Sequence, residues 1–233
     1  MKTLHTIVEP NTLLVTWQPK SGGARYLIAT IARTSDDYIF AYQTESEDFE
    51  LAKNAGFLGH PAFNLDVAVH TNNVLDPFLR RLPPKSRGDF GRYLQQHCLP
   101  SPFNASDFAL LGYTGAKSPA DGFILFPDFS DIQTSFEYVL EVAGTRYEKD
   151  LDLEYIRLED QVTFVPEEKN TFDENAIAVY HDQGKIGYVN KVFCKFFRQL
   201  LSSKKISATI AKKNGTAERP LLYLLLSVDA PRL

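Results

Sequence analysis

The chain has 233 residues, with 25 basic and 29 acidic side chains, a formal net charge of −4, 44% hydrophobic and 23% charged residues. This is ordinary globular usage: it excludes a disordered chain or a coiled coil, and the acidic balance excludes polyanion binding through bulk positive charge. At about 150 residues per domain, the length predicts one or two compact domains. No apolar run approaches the roughly 18 residues that a membrane span needs. The opening MKTLHTIVEPNT, interrupted by His5 and Glu9, is too short an apolar run for a secretory signal. Cys98 and Cys194 lie far apart without a paired spacing, which argues against a disulfide framework or a zinc site and for a reducing cytoplasm. No cofactor and no metal are expected.

In chain order, TLLVTWQ, YLIATIA and DDYIFAYQ read as strands. Ser21-Gly22-Gly23-Ala24 supplies the turn of a hairpin between the first two. In the third, Tyr38, Phe40 and Tyr42 share one face at a spacing of two, as a half-buried strand requires. GHPAFN and LPPKSRGD read as loops. Helices are predicted around GRYLQQHC and ASDFALLGYTG, with Ser106 and Asp107 as candidate caps of the second. The basic run Arg80, Arg81, Lys85, Arg87 and Arg92, offset by Asp89, is either a phosphate-contacting patch or the charged rim of a loop held by Pro83 and Pro84. The rim is favoured, because proline-rich loops readily carry exposed charge.

FPDFSDIQTS (126–135) is the best linker. Beyond it FEYVLEVAGT, QVTFVPE, NAIAVYHD, KIGYVNK, KISATIAKK and LLYLLLSV read as strands, with a hairpin turn at His181-Asp182-Gln183-Gly184. In KVFCKFFRQLLSSKK, the residues Val192, Phe193, Phe196, Phe197, Leu200 and Leu201 form one apolar stripe of a helix. The expected class is therefore α+β: an N-terminal mixed α/β module over 1–130, then a small β-barrel with one inserted helix over 136–233.

Charge is divided within that second part. Residues 137–182 hold 13 acidic and 4 basic side chains, whereas 183–219 hold 9 basic and one acidic, Glu218. Such a basic stripe is what phosphate contacts need; alternatively Lys204, Lys205, Lys212 and Lys213 only solubilise exposed edges. In EEKNTFDENAIAVY, Asn170 and Asp173 bracket a loop whose amides their side chains can close. The same side chains could instead hold a hydroxyl-rich or amide-rich ligand. Glu167, Glu168, Asp173 and Glu174 could chelate Mg²⁺, but a solvated acidic loop is the simpler reading. There is no phosphate-cradling GxxxxGK[ST] loop, and no Ser/His/Asp or Cys/His arrangement. The chain is read as non-enzymatic.

Three elements carry a resemblance: Gly144-Thr145-Arg146-Tyr147, then Asn170-Thr171-Phe172-Asp173-Glu174-Asn175-Ala176-Ile177-Ala178-Val179, then Gly187-Tyr188-Val189-Asn190-Lys191. In order and spacing, over about 136–228, they resemble the HIRAN domain. The resemblance implies an OB-like barrel that binds nucleic acid and, as in helicase-like members, captures the 3′-hydroxyl end of single-stranded DNA. It implies that Arg146 contacts phosphate, Tyr147 stacks on a base, and Phe172 offers an aromatic platform. Asp173 would accept from the terminal hydroxyl, Asn170 would support the loop, and Lys191 would pair with a phosphate. Tyr188 takes a position often held by histidine or tyrosine, and Pro166-Glu167-Glu168-Lys169 departs from the usual Glu-Pro before the Asn. The chemistry is consistent: a free hydroxyl is a donor and a carboxylate its strongest acceptor, while a 3′-phosphate would be repelled.

FLRRLPPKSRGDFGRYLQQHCL followed by DFALLGYTGAKSPADGFILFP resembles the small N-terminal subdomain of HipA-type toxin kinases, over residues 10–127. No kinase catalytic loop accompanies it, so the resemblance implies a module that binds a protein partner. The expectation is a cytoplasmic two-module protein that binds single-stranded DNA or RNA ends, with a protein partner through residues 1–130 and no membrane contact. Its alternative is an antitoxin-like interaction factor without nucleic-acid binding.

Overall fold

A computed structural model describes residues 2–148, 151–203, 205–216 and 218–230; Lys204 of the basic stripe lies outside them. The chain forms two compact units, one of residues 8–93 and 102–132, the other of the described residues in 1–7, 94–101 and 133–233. The segments 1–7 and 94–101, read in the sequence as N-terminal module, therefore lie in the C-terminal unit. Hydrogen bonds explain it. The Glu137 amide donates to the Thr6 carbonyl at 2.8 Å, and the Leu4 amide donates to the Cys98 carbonyl at 2.8 Å. The Glu137 carboxylate also accepts from the His5 amide at 2.6 Å.

In the N-terminal unit, strands Thr12–Trp17 (β1), Tyr26–Arg33 (β2) and Tyr38–Tyr42 (β3) are followed by helix Glu47–Asn54 (α1), the short strand Val69–His70 (β4) and the single-turn helix Asp76–Leu79 (α2). Helix Phe90–Gln96 (α3) leads out of the unit, and helix Asp107–Thr114 (α4) and strand Ile124–Pro127 (β5) complete it. The sheet is antiparallel, in the order β4-β3-β2-β1-β5. The hairpin at Ser21–Ala24 is present, and β5 occupies the head of the stretch read as linker. Ser106 caps α4 by accepting from the Ala109 amide at 3.1 Å; Asp107 is instead the first helical residue. Phe40 is fully buried, stacks on Phe63 at 4.1 Å and meets Tyr42 edge-on at 4.8 Å. Three of the five cations in the basic run are bound to carboxylates: Arg81 to Asp121 at 2.9 Å, Lys85 to Asp107 at 2.6 Å and Arg87 to Asp89 at 2.6 Å.

The C-terminal unit holds strands Phe136–Glu141 (β6), Thr163–Pro166 (β7), Ile177–His181 (β8) and Gly184–Tyr188 (β9), helix Lys191–Ser203 (α5), and strands Ile206–Gly215 (β10) and Pro220–Val228 (β11). Two antiparallel sheets, β10-β11-β6 and β7-β8-β9, meet through the bridges Ala143↔Tyr188 and Gln161↔Thr209. The six strands thus follow one another in a closed order, a small barrel-like arrangement; an OB fold has five. Gly187 sits at one closure with φ 138°, where a Cβ would lie 2.4 Å from the Ala143 carbonyl oxygen. Only glycine fits there. Phe193, Cys194 and Phe197 of α5 are buried, and Phe197 meets Phe164 of β7 at 5.2 Å. Among the described residues no helix is long and apolar enough to cross a membrane.

Candidate nucleic-acid interface

Immediately after β6 the chain makes a single 3-10 turn, Thr145–Tyr147, preceded by Gly144 in the left-handed region at φ 77°. Thr145 is buried and donates its hydroxyl to the Val142 carbonyl at 3.3 Å. Pinning the inner residue leaves the next two facing solvent. The Arg146 guanidinium lies 4.6 Å over the Tyr147 ring and donates to its phenol oxygen. Tyr147 is nevertheless 67% exposed.

The loop between β7 and β8 is closed by its own side chains. Asn170 Oδ1 accepts from the amides of Phe172 and Asp173 at 2.9 and 3.0 Å, and Asp173 Oδ1 accepts from the Asn175 amide at 2.9 Å. Arg198 of α5 adds an external tie, donating to the carbonyls of Glu174 at 2.8 Å and Asn175 at 3.3 Å. Two consequences follow. The Phe172 ring stands 97% exposed on a braced backbone. Asp173 is half-buried, and among the described residues nothing donates to its Oδ2.

Tyr188 joins these segments. Its hydroxyl donates to Glu167 Oε2 at 3.0 Å, and the same oxygen accepts from Asn170 Nδ2 at 3.0 Å. Lys185 donates to the Tyr188 hydroxyl at 3.0 Å and lies 3.4 Å from the Glu148 carboxylate and 3.9 Å from that of Glu167. The hydrogen bond to Tyr188, ahead of the two carboxylates, raises the Lys185 pKa and keeps its ammonium charged. The Tyr188 ring also lies alongside Gly144, at the bridge to Ala143. Thus the 3-10 turn, the Asn170–Asp173 loop and β9 are tied to one another.

Lys191 is exposed at the start of α5. It and Asp173 both act electrostatically on the Cys194 thiol, whose pKa is pushed up to about 12, first by burial and then by Asp173. That thiol is inert as a nucleophile at neutral pH.

Sequence reasoning missed the part played by Glu148 and Lys185, and read Glu167 only as a metal-ligand candidate. The one available signal was that Lys185 and Tyr188 are three apart, across the bulge of β9. Much of the basic stripe is spent internally. Lys212 donates to the Gln96 carbonyl at 3.1 Å, and Lys213 donates to the carbonyls of Leu153 and Ile156 at 2.7 and 2.5 Å. Among the described residues no three His, Cys, Asp or Glu side chains gather where a metal ion could be held.

Residues 135–227 match the HIRAN domain. The HIRAN family is generally associated with binding nucleic acid, single-stranded DNA in particular. Among solved structures, the HIRAN domain of human HLTF is 19% identical, over 40% of this chain and 74% of that one, with a TM-score of 0.33. A Lactobacillus plantarum protein is 23% identical, over 41% of this chain and 93% of that one, with a TM-score of 0.35. No curated protein matches the chain.

Proposed function

We propose that the HIRAN region binds single-stranded DNA and holds its 3′-hydroxyl end. The observation that carries this reading is the pair of solvent-facing rings, Tyr147 and Phe172, on segments cross-linked through Tyr188, Glu167 and Asn170. Stacking on such rings tolerates any base and contributes about 1–3 kcal/mol per base. A base on Tyr147 would take the face opposite Arg146 and leave the guanidinium to meet a phosphate. Oδ2 of Asp173 would accept the terminal hydroxyl proton, and Lys191 would face the next phosphate. In this reading Asn170 and Tyr188 are positioning residues, because their polar atoms are committed to the loop amides and to Glu167. The protein would then be a non-enzymatic, cytoplasmic binding factor. For residues 1–130 we retain the HipA-like reading and a protein partner.

Fluorescence anisotropy with matched 3′-hydroxyl and 3′-phosphate oligonucleotides tests it. Tighter binding of the free hydroxyl is expected. Asp173→Ala should erase that preference, and Arg146→Ala should weaken both strands together. Equal affinity of the unaltered protein for the two ends would remove end capture, and no binding to either would remove the nucleic-acid reading.

A further inference from the structure

Arg198 lies outside the three sequence elements that carry the HIRAN resemblance, on α5, and reaches the loop between β7 and β8. Its place on the helix is fixed by its neighbours. Phe197, the preceding residue, is buried and meets Phe164 of β7, and Cys194, one turn earlier, is buried as well. Cys194 feels the charges of both Asp173 and Arg198, which puts the two beside the same turn of the helix. From there the guanidinium donates through Nη2 to the Glu174 carbonyl at 2.8 Å and through Nε to the Asn175 carbonyl at 3.3 Å. Two nitrogens of one rigid plane therefore hold two consecutive peptide units.

Both of those units turn their other end to Asp173. The peptide with the Glu174 carbonyl carries the Asn175 N–H, which donates to Asp173 Oδ1 at 2.9 Å. The peptide with the Asn175 carbonyl carries the Ala176 N–H, which donates to the main-chain carbonyl of Asp173 at 3.0 Å. A trans peptide points its N–H and C=O in opposite directions. Arg198 thus grips from one side the two units that hold Asp173 from the other. A hydrogen bond to each carbonyl also polarises the unit and strengthens its N–H as a donor. Asn170 fixes the Phe172 and Asp173 amides from within the loop, whereas Arg198 ties the supports of the Asp173 carboxylate to the helix that begins at Lys191.

We propose that Arg198 is a positioning residue for end selectivity: through these two peptides it aims Asp173 so that Oδ2 meets a terminal hydroxyl. The assignment rests on the end-capture reading above. Two measurements on the full-length protein test it. Without DNA, Arg198→Met should shift the Asn175 and Ala176 amide signals and speed their exchange with solvent. The Phe172 and Asp173 amides, held by Asn170, should keep theirs. In anisotropy titrations, Arg198→Met should lower the preference for the 3′-hydroxyl over the 3′-phosphate strand by about three- to tenfold, a coupling typical within one hydrogen-bond network. Lys195→Met removes a positive charge from an exposed position of the same helix and should leave that preference intact. In Asp173→Ala protein, Arg198→Met should weaken hydroxyl-strand binding no more than Lys195→Met does. Unmoved Asn175 and Ala176 amides, or all four amides moving alike, would overturn the assignment. So would a larger loss in the Asp173→Ala background. If the unaltered protein discriminates and Arg198→Met discriminates equally, the assignment alone falls; if the unaltered protein binds both ends equally, end capture falls and takes the assignment with it.

Discussion

The two units differ in where their aromatic residues stand. In the N-terminal unit Phe40, Phe49, Phe57, Phe63, Phe78 and Phe123 are buried together around His60, and the large apolar side chains left exposed are the aliphatic Leu51, Leu58, Val67 and Val69. The C-terminal unit buries mainly aliphatic residues together with Phe136, Tyr138, Phe193 and Phe197, but it also leaves aromatic rings exposed, Tyr147, Tyr155, Phe172 and Tyr180, beside the aliphatic Leu158 and Val165. A buried ring stabilises the fold by removing apolar surface from water, whereas an exposed ring contributes little to stability and is free to stack on a ligand. The difference separates a unit organised around its core from one that presents a surface.

The largest effect expected from breaking this contrast is at Phe40. Phe40→Ala should destabilise the N-terminal unit by about 3–5 kcal/mol, because a fully buried ring is replaced by a cavity. Chemical denaturation monitored by Trp17 fluorescence measures it. The next concerns His60, 5% exposed, whose pKa burial and then the Arg81 charge lower to about 4. The folded state keeps this imidazole neutral, while the unfolded chain takes up its proton near pH 6.5. Its contribution is therefore complete above about pH 6.5 and is lost as pH falls towards 4, a total of about 3 kcal/mol. Denaturant midpoints between pH 7 and 4 should show the loss, and His60→Phe should flatten that part of the profile.

A smaller effect is expected at the tie between the three C-terminal segments. Tyr188→Phe removes the hydroxyl that bridges Lys185 and Glu167 and should cost about 1 kcal/mol in thermal denaturation, with weaker DNA binding as the loop loosens. The smallest is at the exposed rings. Phe172→Ala should change stability by less than about 0.5 kcal/mol while reducing DNA affinity by about 1–3 kcal/mol. A melting temperature lowered as far as that of Phe40→Ala would erase the distinction between the units.

Local pattern made much of this architecture readable. Alternation at Tyr38, Phe40 and Tyr42 marked β3, and the Phe193/Phe197 stripe marked the buried face of α5, because side-chain periodicity is a local property. What escaped notice depends on distance along the chain. Nothing near Leu125 announces that it pairs with Val15, and nothing near Leu4 announces its bond to Cys98. The strand content of the barrel could be read, but its closure through Ala143 and Tyr188 could not, since a single bridge leaves no periodic trace. At the candidate site the motif residues themselves stood out. The use of Glu167 and Lys185 did not, because charged side chains look alike in sequence whether they face solvent or brace a loop.

Amide chemical-shift mapping of the full chain with a short 3′-hydroxyl oligonucleotide tests the central claim most directly. The account predicts perturbations concentrated at 144–147, 170–175 and 188–191, with the amides of the Phe40 core unmoved. Saturable binding whose perturbations fall elsewhere, or an absence of perturbation at oligonucleotide excess, would contradict it.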